Sequence, residues 1–199
     1  MYPVMIDGPR VWLREFDDGD LDATMAIVGD PEVTKTLSFE TPTSEEQAAV
    51  LATHLDKARS KPRVEYYLAA VEQGTGELIG MVRLTLAWPR AGDLGYIVRR
   101  DRWGLGYATE IATAMLDFGY GRLRLHRVQA SCEPDNPSSE RVLRKLGFSF
   151  EGRLRDHTVR GGSFHDSLQY SLLAPEWRQP RPEAPPSPPD ESNQATVAG

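Results

Sequence analysis

A chain of 199 residues is long enough for one domain with a sizeable core, and its 40% hydrophobic and 26% charged residues are ordinary for a soluble protein. A formal net charge of −6 argues against a general nucleic-acid binder, and no run approaches the ~18 apolar residues that a membrane span needs. Cys132 is the single cysteine, which excludes an internal disulfide, and residues 1–10 lack the basic flank and apolar core of a signal peptide, so a cytoplasmic bacterial-type enzyme is the simplest expectation.

Alternation over Arg10–Phe16 predicts a first strand. The acidic run Asp17–Asp22 lacks the spacing and terminal Glu of a calcium loop, and Asp20 reads as the N-cap of a helix through Val28. Pro31–Leu37 reads as a short helical turn or loop. Thr43-Ser44-Glu45-Glu46 carries a capping signal at the head of a helix over about Glu45–Ala58. Strands at Tyr66–Val71 and Leu78–Leu86 flank a hairpin turn at Gly74-Thr75-Gly76. Residues 88–92 turn into a strand at Asp93–Val98, and a glycine-rich loop then opens an amphipathic helix at Tyr107–Tyr120.

A strand at Arg127–Cys132, a turn at Pro134-Asp135-Asn136-Pro137 and a short helix at Ser138–Lys145 follow, with Gly147 as the helix stop. Ser149–Arg155 and His165–Leu172 read as a closing hairpin around Arg160-Gly161-Gly162. Strands and helices in this order, linked mostly by hairpins, give an α+β domain around one mixed sheet. Seven of the 15 prolines lie in 175–189, so residues 1–177 are expected to form the domain and Arg178–Gly199 a disordered tail.

The loop Trp103-Gly104-Leu105-Gly106-Tyr107-Ala108 is the most informative stretch. Two glycines at a helix start leave several backbone N–H groups unobstructed, and the helix dipole adds positive potential, which suits a phosphate or pyrophosphate. A dinucleotide-binding fingerprint fits poorly, because a third glycine and an acidic ribose partner are missing. Residues 1–98 hold 9 Lys and Arg against 16 Asp and Glu, whereas residues 99–160 hold 12 against 8, so the loop lies in the one net-positive segment. The four histidines, His54, His126, His157 and His165, show no ligand spacing, and no metal site is expected.

Gly95-Tyr96, Trp103–Glu110, Asn136–Ser139 and Leu146-Gly147-Phe148 together resemble the GNAT superfamily of acyl-CoA-dependent N-acyltransferases, most closely its RimJ/RimL branch. The resemblance covers about residues 8–174 and is specific in 93–150. It implies a mixed, mostly antiparallel sheet whose splayed strands form an acyl-CoA wedge. It also implies that Gly104, Leu105, Gly106, Tyr107 and Ala108 hold the pyrophosphate, that the backbone of Ile97, Val98 and Arg99 and the amide of Asn136 hold the pantetheine arm, and that Ser139 protonates the leaving thiolate.

Many members place a tyrosine where Leu143 stands, and a leucine cannot donate a proton, which favours Ser139. Asp93 is the candidate base for the amine, with Asp156, His157 or water as alternatives. The expected activity is acetyl transfer from acetyl-CoA to a primary amine, either a protein N-terminus or a small molecule, by a monomer or homodimer that needs no nucleic acid or membrane. A non-catalytic acyl-CoA sensor is the alternative: it would need the loop and Asn136 but neither Ser139 nor a base.

Overall fold

A computed structural model describes residues 1–177 apart from positions 36, 38 and 88. The tail expected at Arg178–Gly199 lies outside the described residues. The strands are β1 (Met5–Asp7), β2 (Val11–Arg14), β3 (Glu65–Glu72), β4 (Leu78–Ala87), β5 (Ala91–Val98), β6 (Arg127–Cys132), β7 (Ser149–Arg160) and β8 (Ser163–Leu173). They form one sheet in the order β1-β2-β3-β4-β5-β6-β8-β7. Only the β5–β6 join is parallel; every other neighbouring pair is antiparallel. The helices are α1 (Leu21–Val28), α2 (Pro31–Thr34), α3 (Ser44–Arg59), α4 (Tyr107–Gly121), α5 (Pro137–Lys145) and α6 (Ala174–Trp177). None of them is long and apolar enough to cross a membrane.

Strand periodicity divides the core. Leu68, Val82, Leu84, Leu94, Val98, Val128 and Ala130 pack with Ile111, Met115 and Leu116 of α4 and Leu143 of α5. On the other face, Phe16, Ala69 and Met81 pack with Ile27 and Val28 of α1 and Leu51 of α3. Ile97 of β5 leans on this second cluster, while Tyr96 leans on the first. Even-numbered residues of β5 therefore face α4 and α5, and odd-numbered ones face α1 and α3.

Local chemistry sets most element ends as expected. Thr43 and Glu46 form the reciprocal capping box at the head of α3. Gly161 and Gly162 both adopt positive φ, the backbone that a two-residue hairpin turn needs, so β7 and β8 run to the turn itself and are longer than the sequence suggests. Two expectations need correction. Asp20 precedes α1, but its carboxylate does not cap it: both oxygens bind the Arg14 guanidinium at 2.7 and 2.8 Å, and Oδ2 also accepts from Asp17 N. Proline at a first helical position needs no N–H donor, so α5 starts at Pro137 with Asn136 as its cap.

One buried ion pair ties the segment just after β2 to the segment just before β3. Arg63 binds both oxygens of Glu15, at 2.6 and 3.0 Å, with 2% and 8% of the two side chains exposed. Arg63 also stacks on the Tyr66 ring. Removing one partner strands the other charge in the interior. Arg63→Ala is expected to lower stability by about 3–5 kcal/mol, read by urea unfolding; a loss of under about 1 kcal/mol would show that water solvates Glu15 there.

Candidate active site

The site is a fork in the sheet. β5 pairs with β6 only at Ala91–Arg127, Gly92–Val128 and Asp93–Gln129. Beyond that point β5 stays on β4 as far as Val98, and β6 stays on β8 as far as Cys132. Arg99 N donates to Ile79 O, which fixes the phase of the β4–β5 ladder. Bonded and non-bonded pairs alternate along an antiparallel ladder, so Gly95 and Ile97 turn their backbone groups to β4. Tyr96 and Val98 turn theirs into the fork.

This phase sorts the three backbone positions expected on the pantetheine arm. Val98 faces the fork, and its carbonyl accepts from the Trp103 indole at 2.8 Å. Ile97 faces β4. The Arg99 backbone is engaged on both sides, N–H to Ile79 O and carbonyl from Arg102 N. Tyr96, which the sequence marked only as part of a motif, is the second fork-facing position.

The glycine loop connects the fork to α4. Gly104 and Gly106 have φ of +74° and +85°, a backbone that side chains disfavour. Gly106 is the N-cap of α4 and supplies no side-chain cap. Glu110 N is the donor that reaches Gly106 O, so Tyr107, Ala108 and Thr109 precede the first closed turn of the helix. A Cβ built on Gly104 would meet no atom within 4 Å. The loop is held from behind: Glu110 accepts from Arg10 Nε at 2.8 Å and Val11 N at 3.1 Å, and Arg10 reaches Leu105 O and stacks on Tyr107. Tyr107 donates to Glu72.

The positive charge of this segment is largely neutralised. Arg99 pairs with Glu77 and Asp101, and Arg102 with Glu72, Glu77 and Asp101. These arginines brace the loop, which leaves the helix N–H groups as its main anion-facing feature.

α5 overhangs the fork on the α4 face. Asn136 Oδ1 accepts from Ser139 N at 3.0 Å, which caps α5 and fixes Ser139 in its first turn. Ser139 Oγ lies 3.1 Å from the Tyr96 hydroxyl. Burial pushes the Tyr96 phenol well above its usual pKa, against a smaller opposing effect from Ser139. Leu143 is fully buried.

The opposite face carries carboxylates. Asp93 sits at the apex of the fork and is half-buried, with Gln129 Nε2 at 3.3 Å and Arg83 at 3.6 Å. It shares the odd face of β5 with Gly95 and Ile97, so the structure places Asp93 and Ser139 on opposite faces of the sheet. Glu133, just past β6, is buried with one oxygen on Arg160 at 2.8 Å. Asp156 and His157 are exposed on an irregular stretch of the edge strand β7, two strands beyond β6. Burial raises the Cys132 thiol to about 11, so it is no nucleophile near neutral pH. His54 is held between Glu65 and the Tyr67 ring.

The chain matches known proteins in sequence and in fold. The family described as "Acetyltransferase (GNAT) domain" matches residues 10–149. The chain is 31% identical over 170 residues to "Uncharacterized N-acetyltransferase p20" of Bacillus licheniformis, covering 84% of this chain and 95% of that one. It is 31% identical over 115 residues to "[Ribosomal protein uS5]-alanine N-acetyltransferase" of Escherichia coli (strain K12), covering 56% and 59%. Among solved structures, "Mycobacterium smegmatis RimJ in complex with CoA-disulfide" superposes with a TM-score of 0.79 at 22% identity, covering 89% of this chain and 91% of that one.

Glycines at the two ends of α4, the N-cap Gly106 and the last residue Gly121, test the loop geometry. Gly106→Ala is expected to cost about 1–2 kcal/mol from left-handed strain alone, since the nearest atom to an added Cβ is Arg10 Nη2 at 3.6 Å. Gly121→Ala, at the other end of the helix and without positive φ, is expected to stabilise by about 0.5–1 kcal/mol. Urea titration of both variants checks the opposite signs; two shifts of the same sign would contradict the assignment of strain to Gly106.

Proposed function

Because the chain belongs to the GNAT acetyltransferase family, we propose that it moves an acetyl group from acetyl-CoA to a primary amine, directly, within a ternary complex. The observation that carries this reading is the fork, which opens to both faces of the sheet between a hydroxyl at Ser139 and a carboxylate at Asp93.

The residues present suit coenzyme A. A pyrophosphate matches the N–H groups of Tyr107 and Ala108 beside the uncapped turn of Gly104, Leu105 and Gly106. An amide-bearing arm matches the fork-facing backbone of Val98 and Tyr96, as an added strand would. Asn136 joins them from the β6–α5 turn. Bound there, acetyl-CoA supplies an activated thioester.

The chain's own groups do the rest. Asp93 accepts the proton of the attacking amine, directly or through water, because a protonated amine is not a nucleophile. A backbone N–H near Val98 stabilises charge developing on the carbonyl oxygen. Ser139 passes its hydroxyl proton to the departing sulfur and regains one from water. No covalent enzyme intermediate is required. The acidic N-terminal half favours a cationic acceptor. The uS5-alanine relative makes a protein N-terminal amine one candidate and a small-molecule amine the other. The enzyme works in the cytoplasm as a monomer or homodimer.

The test is acetyl transfer from labelled acetyl-CoA to peptides with varied N-termini, polyamines, amino acids and aminoglycosides, read by mass spectrometry. Acetylation of one class is expected, and Ser139→Ala should lower kcat at least ~10-fold while coenzyme binding persists. Coenzyme binding without transfer to any amine would favour a sensor instead.

A further inference from the structure

The fork carries a pair of hydroxyls in hydrogen-bond contact. Tyr96 Oη lies 3.1 Å from Ser139 Oγ and 3.3 Å from Ser139 O. Each hydroxyl can donate one proton and either can be the donor in the pair, with Ser139 O a second acceptor within reach of the phenol. Burial keeps that phenol protonated. A serine oxygen that accepts from Tyr96 has its own proton free to point elsewhere. Oγ sits above the fork, since Tyr96 turns its backbone into the fork and its side chain toward α5.

We propose that Tyr96 is a positioning residue for departure of the leaving group: its phenol donates to Ser139 Oγ and so turns the serine proton into the fork, where the thioester sulfur would lie. This rests on the acetyltransferase reading given above. Tyr96 undergoes no net proton transfer. Ser139 gives its proton to the sulfur as the carbon–sulfur bond breaks, and the phenol hydrogen bond polarises that donation. Tyr96 is held by β5 and Ser139 by the Asn136 cap of α5, so the two elements that border the fork set the spacing of the two hydroxyls. Without the phenol, the serine proton is free to rotate to other acceptors.

The experiment is a double-mutant cycle of Tyr96→Phe and Ser139→Ala, with kcat, the KM for acetyl-CoA and the thermal midpoint measured for all four proteins. Tyr96→Phe keeps the ring and its packing. It is expected to lower kcat about 10-fold with KM changed less than about 2-fold, and to change kcat less than about 2-fold once Ser139 is alanine. An acyl donor with a more acidic thiol should recover most of the loss, because a better leaving group needs less help. An unchanged kcat in Tyr96→Phe, or the same loss in both serine and alanine backgrounds, overturns the proposal and leaves the acetyltransferase reading intact. A wild-type chain that binds coenzyme A but acetylates no amine removes both.

Discussion

Backbone hydrogen bonding dictates where this sheet can open. β5 is held along its whole length by β4, and β6 along its whole length by β8. The one parallel join between them has only three pairs. Two antiparallel halves that diverge can separate only there, and beyond Asp93 and Gln129 the strands keep their outer partners and lose each other. The fork therefore exposes strand backbone next to the core with the sheet otherwise intact, and buried backbone groups require partners. In the proposed reaction the pantetheine arm is that partner.

Everything else at the site is placed relative to the fork. The glycine loop starts where β5 ends, with the Trp103 indole holding the Val98 carbonyl. Glu110 ties α4 back to the start of β2, so the helix N-terminus cannot swing away from the strands. The arginines nearby are spent on Glu72, Glu77 and Asp101, which stiffens the loop but cancels much of the charge that the sequence advertises. In the proposed function, anion recognition would fall to directional N–H groups, which favour a pyrophosphate over a diffuse anion. Donor and acceptor substrates would reach the apex from opposite faces, one past Ser139 and the other past Asp93.

Much of this was legible in the residues. Alternation marked β2, the turn at Gly74-Thr75-Gly76 marked β3 and β4 on either side of it, the Thr43–Glu46 box marked the head of α3, and Gly104 with Gly106 marked the loop. β1 was not legible, because three residues carry no period and the strand exists only by pairing with β2. The carboxylate of Asp20 went to Arg14 because a charged partner outcompetes the helix N–H groups that the sequence pattern offered it. Ladder phase is likewise invisible in sequence: it separates Val98 from its neighbours Ile97 and Arg99 and brings in Tyr96. The Tyr96–Ser139 contact joins residues 43 positions apart, and the one sequence signal for it was the adjacency of Gly95 and Tyr96 at a strand end.

The most direct test of the central claim is amide hydrogen exchange, resolved by NMR, with and without saturating coenzyme A. The fork account predicts slower exchange at Tyr96, Val98, Tyr107 and Ala108. It predicts no change at Ile97, whose N–H already faces β4. Protection elsewhere with these four amides unaltered, or equal protection of Ile97 and Val98, would contradict it.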